Sequence, residues 1–213
     1  MPDSIAISPP LTPKKEKILT ISARLFAQKG YAAVSMRELA SETKMTPAAL
    51  YHHYADKEAL YYAALLHVFT DKASAIIELT KGRESSETKL KNLILWLIRL
   101  FSRDEIFTLL LQRELLDGNS ARIKLLTREV IEPPFLEVER LIGKLVPNRN
   151  PKSLAVSAMS LILGHFQLMP ILRNLTIEHS SAPIIDQEHA LADTVRALIM
   201  GQSSKATETR GAF

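Results

Sequence analysis

Apolar residues recur every three to four positions along nearly the whole chain, and no segment alternates apolar with polar residues as a half-buried strand would. Ile18, Ile21 and Leu25 interleave with Leu19, Ala23 and Phe26 in one broad apolar stripe, which predicts a helix started by Thr12-Pro13 and stopped by Gly30. A long helix over about 57–80 is marked by Leu60, Ala64, Val68, Ile76 and Leu79. Further helical segments follow at roughly 87–101, 104–116, 121–142, 151–173 and 185–200, with breaks at 117–119, 147–151 and 180–183. Pro133-Pro134 should kink or split the third of these near Glu132, because proline removes a helical donor and crowds the preceding turn. The fold class is all-α.

The most informative stretch is 34–57, VSMRELASETKMTPAALYHHYADK. Ser35 followed by Glu38 is a capping box, and Val34 with Leu39 adds a hydrophobic staple, so one helix starts there. Thr46 as N-cap and Pro47 at the first helical position start the next. Only Thr43, Lys44 and Met45 remain for the turn, and two helices joined so closely cross steeply as a helix-turn-helix. Leu39, Ala40, Met45 and Leu50 are the expected inward positions. Lys44 departs from the pattern, since a left-handed residue is needed there and a side chain costs on the order of 1 kcal/mol relative to glycine.

Thr46, Pro47, Ala48, Tyr51 and His52 should face away from that core. The small residues Thr46, Pro47 and Ala48 suit close approach to base edges. Tyr51 and His52, with Ser35, Arg37 and Lys57 at neighbouring helix starts, suit phosphate oxygens. Asp56 should cap the long helix, whose amides and Lys57 would favour an anion. Lys14, Lys15 and Lys17 crowd the start of the first helix, read equally as a solvated cluster or as phosphate neighbours.

Across 18–60, LFAQKGY, SMRELA and LYHHYADKEAL resemble the DNA-binding domain of TetR-type, or tetracycline-repressor-like, transcriptional regulators. The resemblance implies a head at 13–60 that includes the start of the connecting helix, and a helical regulatory and dimerisation region at 61–201. It also implies a homodimer on a palindromic operator, most often a repressor, released by a small-molecule effector, with the connecting helix setting the tilt of the head. Segments 1–12 and 202–213 are expected as loosely attached tails, and the sharpest break in pattern lies at 81–86.

The 151–173 segment is apolar on more than one side, which requires neighbours all round and points to a second subunit. Ala155, Met159, Leu163 and Gly164, with Leu191, Val195 and Leu198 on the last helix, are the candidate interface residues, Ala190 and Ala197 being further points of close approach. The competing view is that these helices fill a monomer core.

With 213 residues, 46% of them hydrophobic, the chain is long enough to bury one large core or two modest ones. The absence of cysteine excludes disulfides and thiolate metal sites and suits a reducing compartment. A net charge of +4 is too small to indicate nucleic acid by itself. The first residues lack the pattern of a secretory signal, and the longest apolar run, read as 93–100, contains Arg99 and is too short for a bilayer. A cytoplasmic protein is expected, with double-stranded DNA as partner and no membrane.

Trp96, Arg99, Phe107, Arg113, Phe135, His165, Phe166 and Met169 are awkward in a plain core and are candidates to line an effector cavity. Taken singly, each reads more simply as part of an internal ion pair or as a hydrogen-bonded core residue. Neither a phosphate loop nor a nucleophile elbow is present, and adjacent His52 and His53 point about 100° apart on a helix, so no enzyme, cofactor or metal site is expected. The rival reading is a helical sensor or adaptor that acts through a protein partner after losing DNA binding.

Overall fold

The computed structural model describes residues 12–172, 174 and 184–201. Its helices are α1 (Pro13–Lys29), α2 (Met36–Glu42), α3 (Pro47–Tyr51), α4 (Lys57–Thr80), α5 (Ser86–Arg103), α6 (Glu105–Asp117), α7 (Ser120–Leu126), α8 (Glu132–Leu145), α9 (Pro151–Leu172) and α10 (Ile184–Met200), with a π turn at Thr127–Ile131. No strand occurs among the described residues. Of the expected tails at 1–12 and 202–213, all but Thr12 lie outside them, as does the break at 180–183.

The chain forms two compact units, one running to Ala73 and including Glu105–Ile131, the other comprising Ser74–Asp104 and the chain from Glu132. Helices α1, α2, α3, α6, α7 and the first part of α4 therefore share the first unit. Its core holds Phe26, Leu39, Leu50, Leu60, Tyr61 and Leu65, all essentially inaccessible. Phe26 meets Tyr61 edge-on at 4.8 Å between ring centres, and Tyr31 lies 5.0 Å from Tyr61.

Helix α6 packs along α1. Arg113 of α6 donates from Nε to the Ala27 carbonyl at 2.7 Å and from Nη2 to the Gln28 carbonyl at 2.8 Å, so two orphan acceptors at the end of α1 are satisfied from outside it. Gly30 stops α1 with φ 82°, and a Cβ there would lie 2.8 Å from Arg113 Nη1. Glycine is thus required both for the turn and for the guanidinium beside it.

The adjacent residue, Glu114, is only 2% exposed and accepts from three groups. Tyr61 donates to it at 2.6 Å, and Arg122 donates from Nε at 3.3 Å and from Nη2 at 3.2 Å. Arg122 also reaches Asp117 at 3.1 Å and lies over the rings of Tyr31 and Tyr61. A buried carboxylate is tolerated here because its lone pairs are taken by a cation and a hydroxyl. Burial and the Glu114 carboxylate both push the Tyr61 hydroxyl strongly up from its usual pKa, so it stays a donor.

In the second unit α5 packs on α8, α9 and α10, and α9 packs on α8 and α10. Leu93, Ile98, Ile142, Ile162, Val195 and Ile199 form its interior. The 121–142 segment is split near Glu132, one of the two outcomes expected from Pro133-Pro134: α7 ends, the π turn follows, and α8 starts at Glu132. In α geometry the rings of Pro133 and Pro134 would press on the carbonyls of Glu129 and Val130, and the wider i→i+5 turn removes that clash.

The 93–100 run is not the longest apolar stretch. Pro151–Ile171, 21 residues with mean hydropathy 1.6, is long and apolar enough to cross a bilayer by length and composition alone, and only 22% of its most apolar window is buried within the chain.

Candidate nucleic-acid interface

Helix α2 starts at Ser35, whose hydroxyl accepts the Glu38 amide at 3.2 Å. The Glu38 carboxyl is held below its usual pKa by Lys29 first, the Ser35 amide adding a smaller contribution, as a capping box requires. Val34 and Leu39 are both buried, in keeping with the staple.

Helix α2 ends in a Schellman motif. The Met45 amide donates to the Ala40 carbonyl at 2.8 Å and the Lys44 amide to the Ser41 carbonyl at 3.0 Å, with Lys44 left-handed at φ 58°. Thr43 is buried, and its hydroxyl donates to the Leu39 carbonyl at 2.7 Å, which closes the last turn from the side. Thr46 then caps α3 by accepting the Ala49 amide at 3.2 Å, and Pro47 occupies the first helical position. Three residues therefore turn the chain between two capped helices, as the spacing requires.

Leu39, Ala40 and Leu50 are buried at the junction of α2 and α3, and Met45 is half-buried. Thr46, Pro47, Ala48, Tyr51 and His52 are exposed, as are Ser35 and Arg37. A short helix with a small-residue leading edge and a phenol and an imidazole one turn on can lie along a groove of a duplex, its edge at the bases and its donors at the phosphates.

Lys57 is placed differently from the expectation. Its ammonium donates to the Tyr31 and Val34 carbonyls at 3.0 Å each and sits 4.3 Å from the centre of the Tyr31 ring. It fastens the α1–α2 loop to the start of α4, leaving one of three donors for an external anion. Asp56 accepts the Ala59 amide at 2.7 Å, so one amide of the α4 start is already satisfied by a carboxylate.

The eight cavity candidates fall into two sets. Arg113 and Phe107 lie in the first unit, Arg113 on the end of α1 and Phe107 4.9 Å from Phe69. The awkward Arg113-Glu114 pair is thus structural: one residue caps α1, and the other forms the internal ion pair. In the second unit Arg99 pairs with Glu188 of α10, which also takes Arg103 and Ser102. Phe166 stacks near Phe101 and meets His165 edge-on, and burial pushes the His165 imidazole below its usual pKa. Trp96, Phe135 and Met169 are half-buried. A pocket of ≈ 20 Å³ lies between α5 and α10 against Lys91, Ile94, His189 and Arg196, and none of the eight candidates lines it.

Of the interface candidates, Ala155, Leu191 and Val195 are buried within their own chain, Val195 completely. Stripe periodicity marked them as apolar but could not say which apolar face α5 and α8 would cover. Met159 and Leu198 are each 38% exposed, Leu163 is half-buried, and Gly164 has open space where a Cβ would be. Val156, Leu168 and Ile171 are exposed on α9 as well.

Residues 18–73 match the family model of bacterial regulatory proteins, tetR family. The uncharacterized HTH-type transcriptional regulator YerO of Bacillus subtilis is 49% identical over 51 residues, covering 24% of this chain and 18% of that protein. The HTH-type transcriptional regulator UidR of Escherichia coli is 33% identical over 54 residues, 25% of this chain and 28% of that protein. These matches span less than a third of the relatives' lengths. The TetR family transcriptional regulator PfmR of Thermus thermophilus superposes with a TM-score of 0.69 at 17% identity, covering 91% of this chain and 99% of that one, which shows a shared fold.

The resemblance read from LFAQKGY, SMRELA and LYHHYADKEAL is therefore correct. The chain carries a TetR-type helix-turn-helix head on a helical fold shared with TetR-family regulators, and the curated proteins it matches bear the names of transcriptional regulators.

Proposed function

We propose that the chain is a ligand-responsive transcriptional regulator, most simply a repressor, acting in the cytoplasm as a homodimer on a palindromic DNA operator. The observation that carries this reading is the helix-turn-helix itself. Its turn is intact in every hydrogen bond, and its second helix presents Thr46, Pro47 and Ala48 to solvent. In the proposed complex these three face base edges. Tyr51, His52, Ser35 and Arg37 hold the phosphates, with the remaining donor of Lys57.

The exposed apolar faces of α9 and α10 supply the pairing surface, with Met159, Leu163, Gly164 and Leu198 at its centre. An effector is proposed for the second unit, with half-buried Trp96, Phe135, His165, Phe166 and Met169 as its candidate contacts, among which His165 meets Phe166 edge-on. Arg99 is paired to Glu188, while Arg113 and Phe107 support the head, so these three are left out of the proposed contact set.

Titrating the protein onto the promoter fragment of its own gene at moderate salt tests the reading. Sequence-selective binding with an affinity on the order of nanomolar is expected. Equal, weak binding to that fragment and to random duplex would contradict it.

A further inference from the structure

We propose that Lys44 is a DNA-backbone contact built into the turn between α2 and α3; the proposal rests on the duplex-binding reading of the same motif. Among the described residues, five have a positive φ between 58° and 97°, and four of them are glycines: Gly30, Gly82, Gly118 and Gly201. Lys44 is the fifth. At the other four described positions of this kind the chain uses the residue that adopts them freely, and here it keeps a long basic side chain against the steric cost.

No side-chain contact among the described residues accounts for that choice. Lys44 is exposed, and no described residue accepts a hydrogen bond from its ammonium or pairs with its charge. Its backbone makes the bond to Ser41 that glycine would make equally well. A cation just past the end of α2 is favourable to that helix's dipole, an effect confined to stability. Position decides the assignment. Lys44 comes two residues before the Thr46 cap of α3, between exposed Arg37 and the exposed edge at Thr46, Pro47 and Ala48. A flexible ammonium in that turn suits a phosphate oxygen, which a duplex presents whatever its sequence.

The test compares wild type with Lys44→Gly, Lys44→Gln and Lys44→Arg in the full chain. It measures affinity for the protein's own promoter fragment and for random duplex over a salt series, and the thermal midpoint of each protein. Lys44→Gly should lose affinity on the order of tenfold on both duplexes, with the slope of log K against log salt reduced by about 0.9 per bound copy. Its midpoint should rise by about 2 °C as the strain is relieved. Lys44→Gln should lose the same affinity without the thermal gain, and Lys44→Arg should keep wild-type affinity.

Unchanged affinity and slope in Lys44→Gly and Lys44→Gln, with wild type binding normally, would overturn the proposal, as would a loss confined to the promoter fragment. Wild type that ignores every duplex would instead overturn the duplex reading, and the Lys44 role with it.

Discussion

The Tyr61 hydroxyl donates to the Glu114 carboxylate at 2.6 Å, fixing α4 to α6 within the unit that carries the helix-turn-helix. The same carboxylate holds Arg122, whose side chain is 8% exposed, so removing it leaves a buried cation with only the half-exposed Asp117 as its partner and takes the acceptor from Tyr61. Glu114→Ala should destabilise the protein by about 3–5 kcal/mol. Tyr61→Phe, which deletes one hydrogen bond and leaves the ion pair, should cost about 1 kcal/mol. Denaturant unfolding of the two variants checks the ranking, and equal losses would show that the pair is not the stabilising element.

Gly30 is constrained twice, by φ 82° and by Arg113 Nη1 lying 2.8 Å from where a Cβ would be. Gly30→Ala should cost about 1–2 kcal/mol from the backbone alone, and more from the displaced guanidinium. Because Arg113 holds the Ala27 and Gln28 carbonyls, Arg113→Ala should destabilise independently. The double variant should then lose less than the sum of the two, which a double-mutant cycle reads directly. Strict additivity would mean that the two residues do not meet.

Much of this was legible beforehand. Caps at Thr12, Ser35 and Thr46, the three-residue turn and the left-handed strain at Lys44 are local consequences of local residues, and each is where the sequence places it. Partner choice between distant segments was not legible. Periodicity marks Val195 and Met159 alike as apolar, yet one is covered by its own subunit and the other is 38% exposed. Arg113 was recognisable as misplaced in a leucine-rich helix, but its acceptors are carbonyls at the end of α1, 86 residues away in sequence, and backbone carbonyls leave no mark in a sequence. The internal bonds of Lys57 were hidden for a related reason: its acceptors are also backbone carbonyls.

Tyr62 donates to Glu129 in the π turn at 2.9 Å, and burial together with that carboxylate pushes its hydroxyl from 10.0 up to about 12. Between those values the unfolded chain has released the proton and the folded chain keeps it. The stabilisation is therefore complete below pH 10 and is lost as pH rises toward 12. Stability of wild type should fall across this window, and Tyr62→Phe should fall less steeply. Identical alkaline profiles would contradict the assignment.

The exposed face of α9 should govern assembly and leave the subunit intact. Met159→Glu and Leu168→Glu, at positions 38% and 53% exposed, should halve the solution mass while keeping helical content. Val195→Ala, at a fully buried position, should lower stability by about 2 kcal/mol without changing the mass of the folded species. The reverse pattern would place the pairing surface elsewhere.

The most direct measurement is a hydroxyl-radical footprint of the protein on its own promoter fragment. Two heads delivered by one dimer should protect two half-sites whose centres lie about 34–36 Å apart along the duplex, or a multiple of that distance. Replacing Ala48 by Gln should move that protection to a different sequence. A single protected patch, or protection that follows no sequence and survives the Ala48→Gln change, would contradict the claim that α3 reads DNA from a paired helix-turn-helix.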